Sequence, residues 1–489
     1  MIKKGEKPKI ISIVTEKGNK YIYDICSNLI FSCSDVFIDI INLYANMSKG
    51  EIIKKLTSKH GINYISIESY YIYINSLVKN KSCFFCKYPK LSSQNYSIDL
   101  LRKENFNTNQ LILELTQNCN FRCKYCSYSG NYLYMRKHKN LSMSWEIARK
   151  SIDYYCDILF SQERTKKNRT VSVGFYGGEP LLEFSLIKKC INYINKKIKN
   201  TNFNKFFLIT SNGSLINDEI LDYLIKTNIE LNISLDGPKM EHNKYRIYKN
   251  GRGSFNKVWE NITKIEKYDK KFYSDKVGFL VTIAKGHNLL KIRNFFNNKK
   301  YFNNEKITVN SVYDLDIIRK LKESSTYKKN INFLYSEYKK KLINGNLDND
   351  IFLKAYFSRY FDDCKSIYYR PINHLIKYTP SCFPGSAKLF VTPDGKFHTC
   401  ERINHYFPIG DYKTGIDFNK VKKVWDLYVS NIYKYCIDCE NVHFCHTCLA
   451  TVAKNGYFNS KSQCELQRRR LPLILKDFLS ITEKNARAF

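Results

Sequence analysis

The stretch LILELTQNCNFRCKYC, residues 111–126, joins a short apolar run to three cysteines at CxxxCxxC spacing. LILELT has the length and composition of a buried strand, and Cys119, Cys123 and Cys126 follow it directly as a loop. A disulfide uses two thiols and a closed zinc site four ligands. Three suit three corners of a cubane [4Fe-4S] cluster, whose remaining iron lacks a protein ligand and can bind a small molecule. Zinc with a distant fourth ligand, or three buried thiols, are the plainer readings, and the strand-then-loop setting argues against both.

Working outward, five more β-prone runs lie between about residues 108 and 315: VSVGFYGG, FFLITSNG, ELNISLDG, KVGFLVTI and KITVNSV. Amphipathic stretches of helix length separate them, an alternation that predicts parallel strands with crossover helices. Six units are too few for a closed eight-stranded barrel, so the expectation is an α/β fold with a partial (β/α)6 barrel. Chemistry in such folds gathers at the carboxyl ends of the strands. There lie the cysteine loop, GGEP (177–180), SNG (211–213) and SLDG (234–237).

CxxxCxxC with aromatic Tyr125 before its last cysteine, followed by Gly177, Gly178, Glu179 and Pro180, resembles the radical S-adenosylmethionine (radical SAM) superfamily. The resemblance implies that Cys119, Cys123 and Cys126 hold a catalytic cluster, and that S-adenosyl-L-methionine at its open iron is cleaved to a 5'-deoxyadenosyl radical. Tyr125 and GGEP would then help hold SAM, the glycines by close backbone approach and Glu179 or strand-end carbonyls by accepting from its ammonium group. Asn212, Ser234, Asp236 and Arg246 are implied for its ribose and carboxylate, Arg246 above all because a guanidinium matches a carboxylate. Each alone reads equally well as a turn or surface residue. Relatives carry Asp directly after the residue matching His242, where this chain has Asn243.

Toward the carboxyl terminus come Cys382, then PDGKFHTC with Gly395 and Cys400, then Cys436, Cys439, Cys445, Cys448 and Cys464. Paired CxxC units are also zinc-ribbon spacing. The seven cysteines resemble the SPASM extension of radical SAM peptide-modifying enzymes, which holds two auxiliary [4Fe-4S] clusters and would bring the total to three. By that resemblance Cys436, Cys439, Cys445 and Cys464 bind the outer auxiliary cluster, and Cys382, Cys400 and Cys448 the inner one. CHTC departs from the family's usual spacing by one residue. The inner cluster's missing ligand could be Cys364; otherwise an open iron could take a substrate thiolate, and Cys364 would be a small buried apolar residue. The stretch from Cys382 to Asp411 also resembles the ranthipeptide-type maturases, which form thioether cross-links in Cys-rich ribosomal peptides.

Residues 1–95 read as short strands (KIISIV, KYIYDI, NLIF) followed by helices, with Val36, Ile40, Leu43 and Tyr44 on one face and Gly61 as a stop. The expectation is a winged-helix-like module, which resembles the leader-recognition element of peptide-modifying enzymes; such elements bind a leader as an added strand. The CxxC of Cys83 and Cys86 is half a zinc site or a pair of linker thiols, and the latter is expected. Cys26, Cys33, Cys156 and Cys190 read as core. The remaining expected units are a barrel over 108–315, a helical connector over 316–375 and a SPASM domain over 376–489.

The chain of 489 residues exceeds one ordinary core. With no signal peptide or membrane-length apolar run, the expected compartment is cytoplasmic, where disulfides do not persist. Seventeen cysteines then ask for metal binding. The net charge of +35 is spread along the chain, fits an acidic peptide as well as nucleic acid, and makes nucleic acid the lesser expectation. Expected partners are a Cys-rich precursor peptide with a leader and an electron donor such as flavodoxin or ferredoxin, with no membrane. The leading function is a radical SAM peptide maturase forming thioethers. One alternative is a sulfatase maturase making formylglycine, whose relatives begin close to the first barrel strand. The other is a basic nucleic-acid-binding iron-sulfur protein.

Overall fold

The computed structural model describes residues 2–81, 83–86, 97–105, 108–132, 135–161, 170–298, 300–302, 306–312, 325–365, 367, 381–436 and 439–489. It begins with an antiparallel sheet ordered β1 (Ile10–Val14), β2 (Lys20–Asp24), β3 (Leu29–Ser32). Helices α1 (Asp35–Leu43), α2 (Lys49–His60) and α3 (Tyr64–Lys81) follow. Their ends are written in the sequence. Ser34 Oγ accepts from Phe37 N, Ser48 and Glu51 form a reciprocal capping box, and Gly61 stops α2 at φ +63°. Ile22, Val36, Phe37, Ile40, Ile52 and Leu56 form a core separate from that of the rest of the chain. Leu43 and Tyr44 pack only partly buried at its margin.

Two cysteines of this region correct the expectation. Cys26 and Cys86 are joined in a disulfide, with Cα atoms 5.8 Å apart, rather than being a core thiol and a linker thiol. The buried Asp24 carboxylate accepts from the backbone N–H groups of Cys26, Ser27 and Phe84. That draws the 83–86 stretch back onto the end of β2 and brings the two sulfurs together. Burial pushes the Asp24 carboxyl above its usual range, against these donors.

The main sheet has ten strands in the order β13-β12-β11-β10-β4-β5-β6-β7-β8-β9. All six expected parallel strands are present: β4 (Gln110–Thr116), β5 (Thr170–Gly177), β6 (Asn204–Ser211), β7 (Glu230–Ser234), β8 (Val277–Ile283) and β9 (Ile307–Ser311). Helices such as Trp145–Phe160 and Phe184–Lys197 cross between them and bury Ile152, Tyr155, Ile187 and Ile191 against the sheet. β10 (Lys388–Val391) pairs in parallel with the outer edge of β4, Lys388 opposite Gln110. It continues antiparallel through β11 (Lys396–His398), β12 (Gly410–Asp411) and β13 (Gly415–Ile416). The carboxyl-terminal region therefore extends the barrel's own sheet.

In the expected connector, the described residues form helices Tyr327–Ile343, Ile351–Tyr356 and Asp362–Lys365; 313–324 and 368–380 lie outside them. A long helix, Lys461–Thr482, closes the chain and packs on β1. Just past its end, Glu483 Oε1 accepts from Thr15 Oγ1, Asn19 Nδ2 and Tyr21 Oη, at 2.9–3.0 Å. Tyr23 meets Phe444 edge-on at 5.5 Å, and His443 Nε2 bonds to Ile25 O at 2.9 Å. Among the described residues no helix is long and apolar enough to cross a membrane.

Candidate active site

β4 ends at Thr116, and the chain turns at once into the cysteine loop, which is pinned from two sides. Gly178 N donates to Thr116 O (2.7 Å) and Glu179 N to Asn118 O (2.9 Å), zipping GGEP to the loop's start. Arg122 N donates to Ile247 O and Lys124 N to Tyr245 O, fixing its middle to the stretch after β7. The glycines prove necessary for a reason internal to the protein. A Cβ on Gly177 would lie 2.4 Å from Thr116 O and one on Gly178 2.1 Å from Asn118 O, so backbone already fills that space.

Burial pushes the Cys119 thiol up to about 12 and raises those of Cys123 and Cys126, with each of the first two raised further by neighbouring cysteines. A metal that binds thiolate has to displace these protons. Asn212 Nδ2 lies 3.9 Å from Cys119 Sγ and 2.8 Å from Asn120 Oδ1, while Arg246 Nη1 lies 4.0 Å from Cys123 Sγ.

Glu179 differs from expectation. Its carboxylate accepts from Asn212 N (2.7 Å), Ser211 Oγ (2.8 Å) and Leu181 N (3.1 Å), tying the ends of β5 and β6 together. Burial pushes its pKa up to about 7, against these donors. Pro180 opens the short 3-10 turn that leads into the next helix. Ser234 is the last, half-buried residue of β7.

Two residues on, Asp236 organises the far side. It accepts from Tyr125 Oη and from Thr282 N (3.0 Å), and pairs with Arg246 Nε at 3.0 Å. Burial is the strongest influence and opposes its charge, but the Arg246 guanidinium together with His287, His242 and the Tyr125 hydroxyl holds the carboxyl below the usual carboxylate range. The guanidinium also stacks over the Tyr125 ring, 5.5 Å from its centre. Asn243 Oδ1 accepts from Phe255 N at the start of the helix Phe255–Tyr268, a capping task an acid is not required for.

A second buried network lies beside the cysteine loop, built from residues that no sequence motif marks. Tyr128 Oη donates to Glu114 of β4, beside Arg136 Nε at 3.4 Å. Arg136 then donates to the carbonyls of Ile403 (3.1 Å) and Glu401, joining the cysteine loop to the segment after Cys400. The available signal was Glu114 itself, an acid inside an otherwise apolar strand.

The carboxyl-terminal cysteines fall into two neighbourhoods. Burial raises the Cys436 thiol and its neighbours Cys445, Cys439 and Cys464 raise it further, while burial pushes Cys445 up to about 11. Arg468 Nε lies 3.4 Å from Cys439 Sγ. Cys400 and Cys448 form the other neighbourhood, with burial pushing Cys400 up to about 12. Cys382 is exposed, but its neighbour Ser381 accepts from Leu449 N at 3.0 Å, next to Cys448. Cys364 is buried in the main core, although Asp363 beside it pairs with His446 at 2.6 Å. Among the described residues, no group of three or more His, Cys, Asp or Glu is arranged to hold a single metal ion.

The profile of the Radical SAM superfamily matches residues 113–297, from β4 to the helix after β8. The chain carries a radical SAM domain. Among proteins similar to it, the cysteine-type anaerobic sulfatase-maturating enzyme of Clostridium novyi is 26% identical over 365 residues, 71% of this chain and 87% of the relative. The radical SAM cyclopropyl synthase TigE of Paramaledivibacter caminithermalis is 24% identical over 372 residues, 73% of this chain and 71% of the relative. A solved structure described as native anSMEcpe with bound AdoMet and Cp18Cys peptide superposes with a TM-score of 0.52 at 15% identity, covering 76% of this chain and 99% of that one. The shared fold is that of radical SAM enzymes, and a radical SAM domain implies SAM and a [4Fe-4S] cluster.

The site's chemistry fits that pair. Three thiols on a pinned loop leave one iron of a cubane free, and a guanidinium stands 4.0 Å from one of them.

Proposed function

We propose that this radical SAM enzyme matures a ribosomally made, Cys-rich peptide by forming thioether cross-links. When bound, SAM and its cluster supply the 5'-deoxyadenosyl radical that removes a hydrogen from the substrate. Cys119, Cys123 and Cys126 hold the cluster, Arg246 and Tyr125 orient SAM, and Gly177–Pro180 present backbone carbonyls to its ammonium group. Glu179 acts by positioning, because its carboxylate is committed to Ser211 and Asn212. Cys436, Cys439, Cys445 and Cys464 hold an outer auxiliary cluster, and Cys382, Cys400 and Cys448 an inner one in a SPASM domain.

One observation carries the peptide reading. The sulfatase-maturase fold accounts for 99% of its own length but 76% of this chain. The chain has, beyond a barrel and Cys-rich region, a three-stranded sheet whose terminal strand β3 has a free edge among the described residues. In the same unit α3, which packs on α1 and α2, exposes Tyr64 (56%), Ile65 (73%), Ile72 (55%) and Tyr73 (52%). A free strand edge suits an added peptide strand, and exposed apolar side chains in the same small unit suit its anchoring, as a winged-helix-like leader-recognition module would bind it.

The test is the intact mass of a Cys-rich precursor peptide, encoded beside this gene and co-expressed anaerobically with the enzyme, before and after alkylation. Loss of two hydrogens per event, with thiols protected from alkylation and not rescued by reductant, is the expected result. The similarity to the Clostridium novyi enzyme favours a second reading, formylglycine formation. That reading predicts loss of sulfur and an aldehyde trapped by a hydrazide.

A further inference from the structure

We propose that the outward face of the carboxyl-terminal helix Lys461–Thr482 docks a small acidic protein that carries single electrons. This rests on the proposed radical chemistry, in which one electron is needed to start each turnover and one is released as the thioether closes.

The helix begins at the four-cysteine neighbourhood. Cys464 lies in its first turn, and Arg468, one turn on, reaches Cys439 Sγ with Nε and the Tyr435 carbonyl with Nη2. The other side of the same turns faces solvent. Leu466 is 51% exposed and Leu473 is 62% exposed. They stand seven residues apart, two turns of helix, and so share a face. Between and beyond them Arg469, Arg470 and Lys476 are exposed. Arg469 and Lys476 have no ion-pair partner among the described residues, and Arg470 rests over the Tyr360 ring at 5.6 Å. Glu465 is the exposed acid of this face.

Elsewhere among the described residues many surface lysines sit in ion pairs, as Lys20, Lys49 and Lys59 do. This face differs in combining two bare leucines with unpaired cations, one turn from a group of thiols. A small apolar centre with a basic rim suits a transient partner of opposite charge, where electrostatics sets encounter rate and orientation more than affinity. In the transfer itself the carrier loses one electron and the iron-sulfur group held by these cysteines gains it; no bond is made or broken.

The test uses the reconstituted full-length enzyme and reduced flavodoxin, an acidic carrier. Association is followed by stopped flow at low and high salt, and reduction by the enzyme's visible absorbance. The charge reversal Arg469→Glu with Arg470→Glu is compared with Lys196→Glu plus Lys199→Glu, exposed cations on the helix after β5 and just beyond it. The expected result is association slowed about tenfold or more at low salt in the first variant alone, with most of the salt dependence lost. Reduction by dithionite should be unchanged in both. Equal association rates for the two variants and wild type would overturn the proposal and leave the radical SAM assignment standing. An enzyme that binds no iron-sulfur group would remove the reading beneath it, and the proposal with it.

Discussion

Arg246 and Asp236 form a buried ion pair, Nε to Oδ2 3.0 Å, and Arg246 also reaches to 4.0 Å from Cys123 Sγ. Asp236→Asn leaves the guanidinium without its counter-charge in a fully enclosed place. Removing one partner of such a pair costs about 3–5 kcal/mol. The denaturant midpoint of the protein without SAM should fall accordingly. Arg246→Lys keeps a charge but loses the planar contact over Tyr125, so it should cost less stability and weaken SAM binding more. A midpoint unmoved by Asp236→Asn would show that the pair contributes nothing.

The glycines of GGEP make a sharper test of how the cysteine loop is held. Gly178→Ala puts a methyl group 2.1 Å from Asn118 O, and Gly177→Ala one 2.4 Å from Thr116 O at a φ of +148°. Gly174→Ala in the same strand meets Ile112 at an ordinary 3.6 Å. After reconstitution, the first two variants should retain less iron than wild type, while the third matches it. Iron and sulfide analysis beside circular dichroism separates loss of the cluster from loss of the fold.

Alanine in place of Cys119, Cys123 or Cys126 should remove one cluster's worth of iron and abolish dithionite-driven SAM cleavage. Cys464→Ala should also cost one cluster, but leave that cleavage measurable. Cys364 is buried among core side chains, and burial pushes its thiol up to about 12. Cys364→Ala should leave iron content and the electron paramagnetic resonance spectrum unchanged. A lost signal would make Cys364 the fourth ligand of the inner cluster.

Acid should loosen the amino-terminal sheet from the final helix. The Lys484 ammonium holds the Glu16 carboxyl below its usual range. Burial works against the charge on Glu483, but donors from Asn19, Thr15 and Tyr21 outweigh it and lower that pKa too. Both folded pKa values are depressed, so the stabilisation is complete above the ordinary carboxylate range and disappears as pH falls through the folded values. Limited proteolysis between pH 6 and pH 3 should show the contact opening in the acid limb. Glu483→Gln should begin from a looser contact and respond less to pH.

What the sequence revealed was mostly local. The six parallel strands follow from apolar runs separated by helix-length amphipathic segments, and Gly61 and Ser48 mark helix ends because their chemistry acts within one turn. CxxxCxxC and GGEP were legible as neighbours because both directly follow strands. Three things were hidden for one physical reason, that they depend on contacts between distant segments. Cys26 meets Cys86 only through the Asp24 hub, Glu179 turns inward only because Asn212 arrives beside it, and Arg136 finds its acceptors on a segment far along the chain. The purpose of the glycines was also hidden, since a close approach in the sequence does not say what approaches.

The parallel pairing of β10 with β4 bears on how the protein must be made. Until Lys388–Val391 arrives, the strand that launches the cysteine loop has one bare edge, and bare edges recruit foreign strands. Formation of that pair has to wait until most of the chain has been synthesised, and such distant contacts are slow. A piece ending after β9 would therefore be a poor surrogate for the enzyme, prone to self-association even though it contains every residue of the CxxxCxxC and GGEP motifs. The radical SAM domain and the Cys-rich region share one sheet, so each leaves the other with an uncovered strand when made alone.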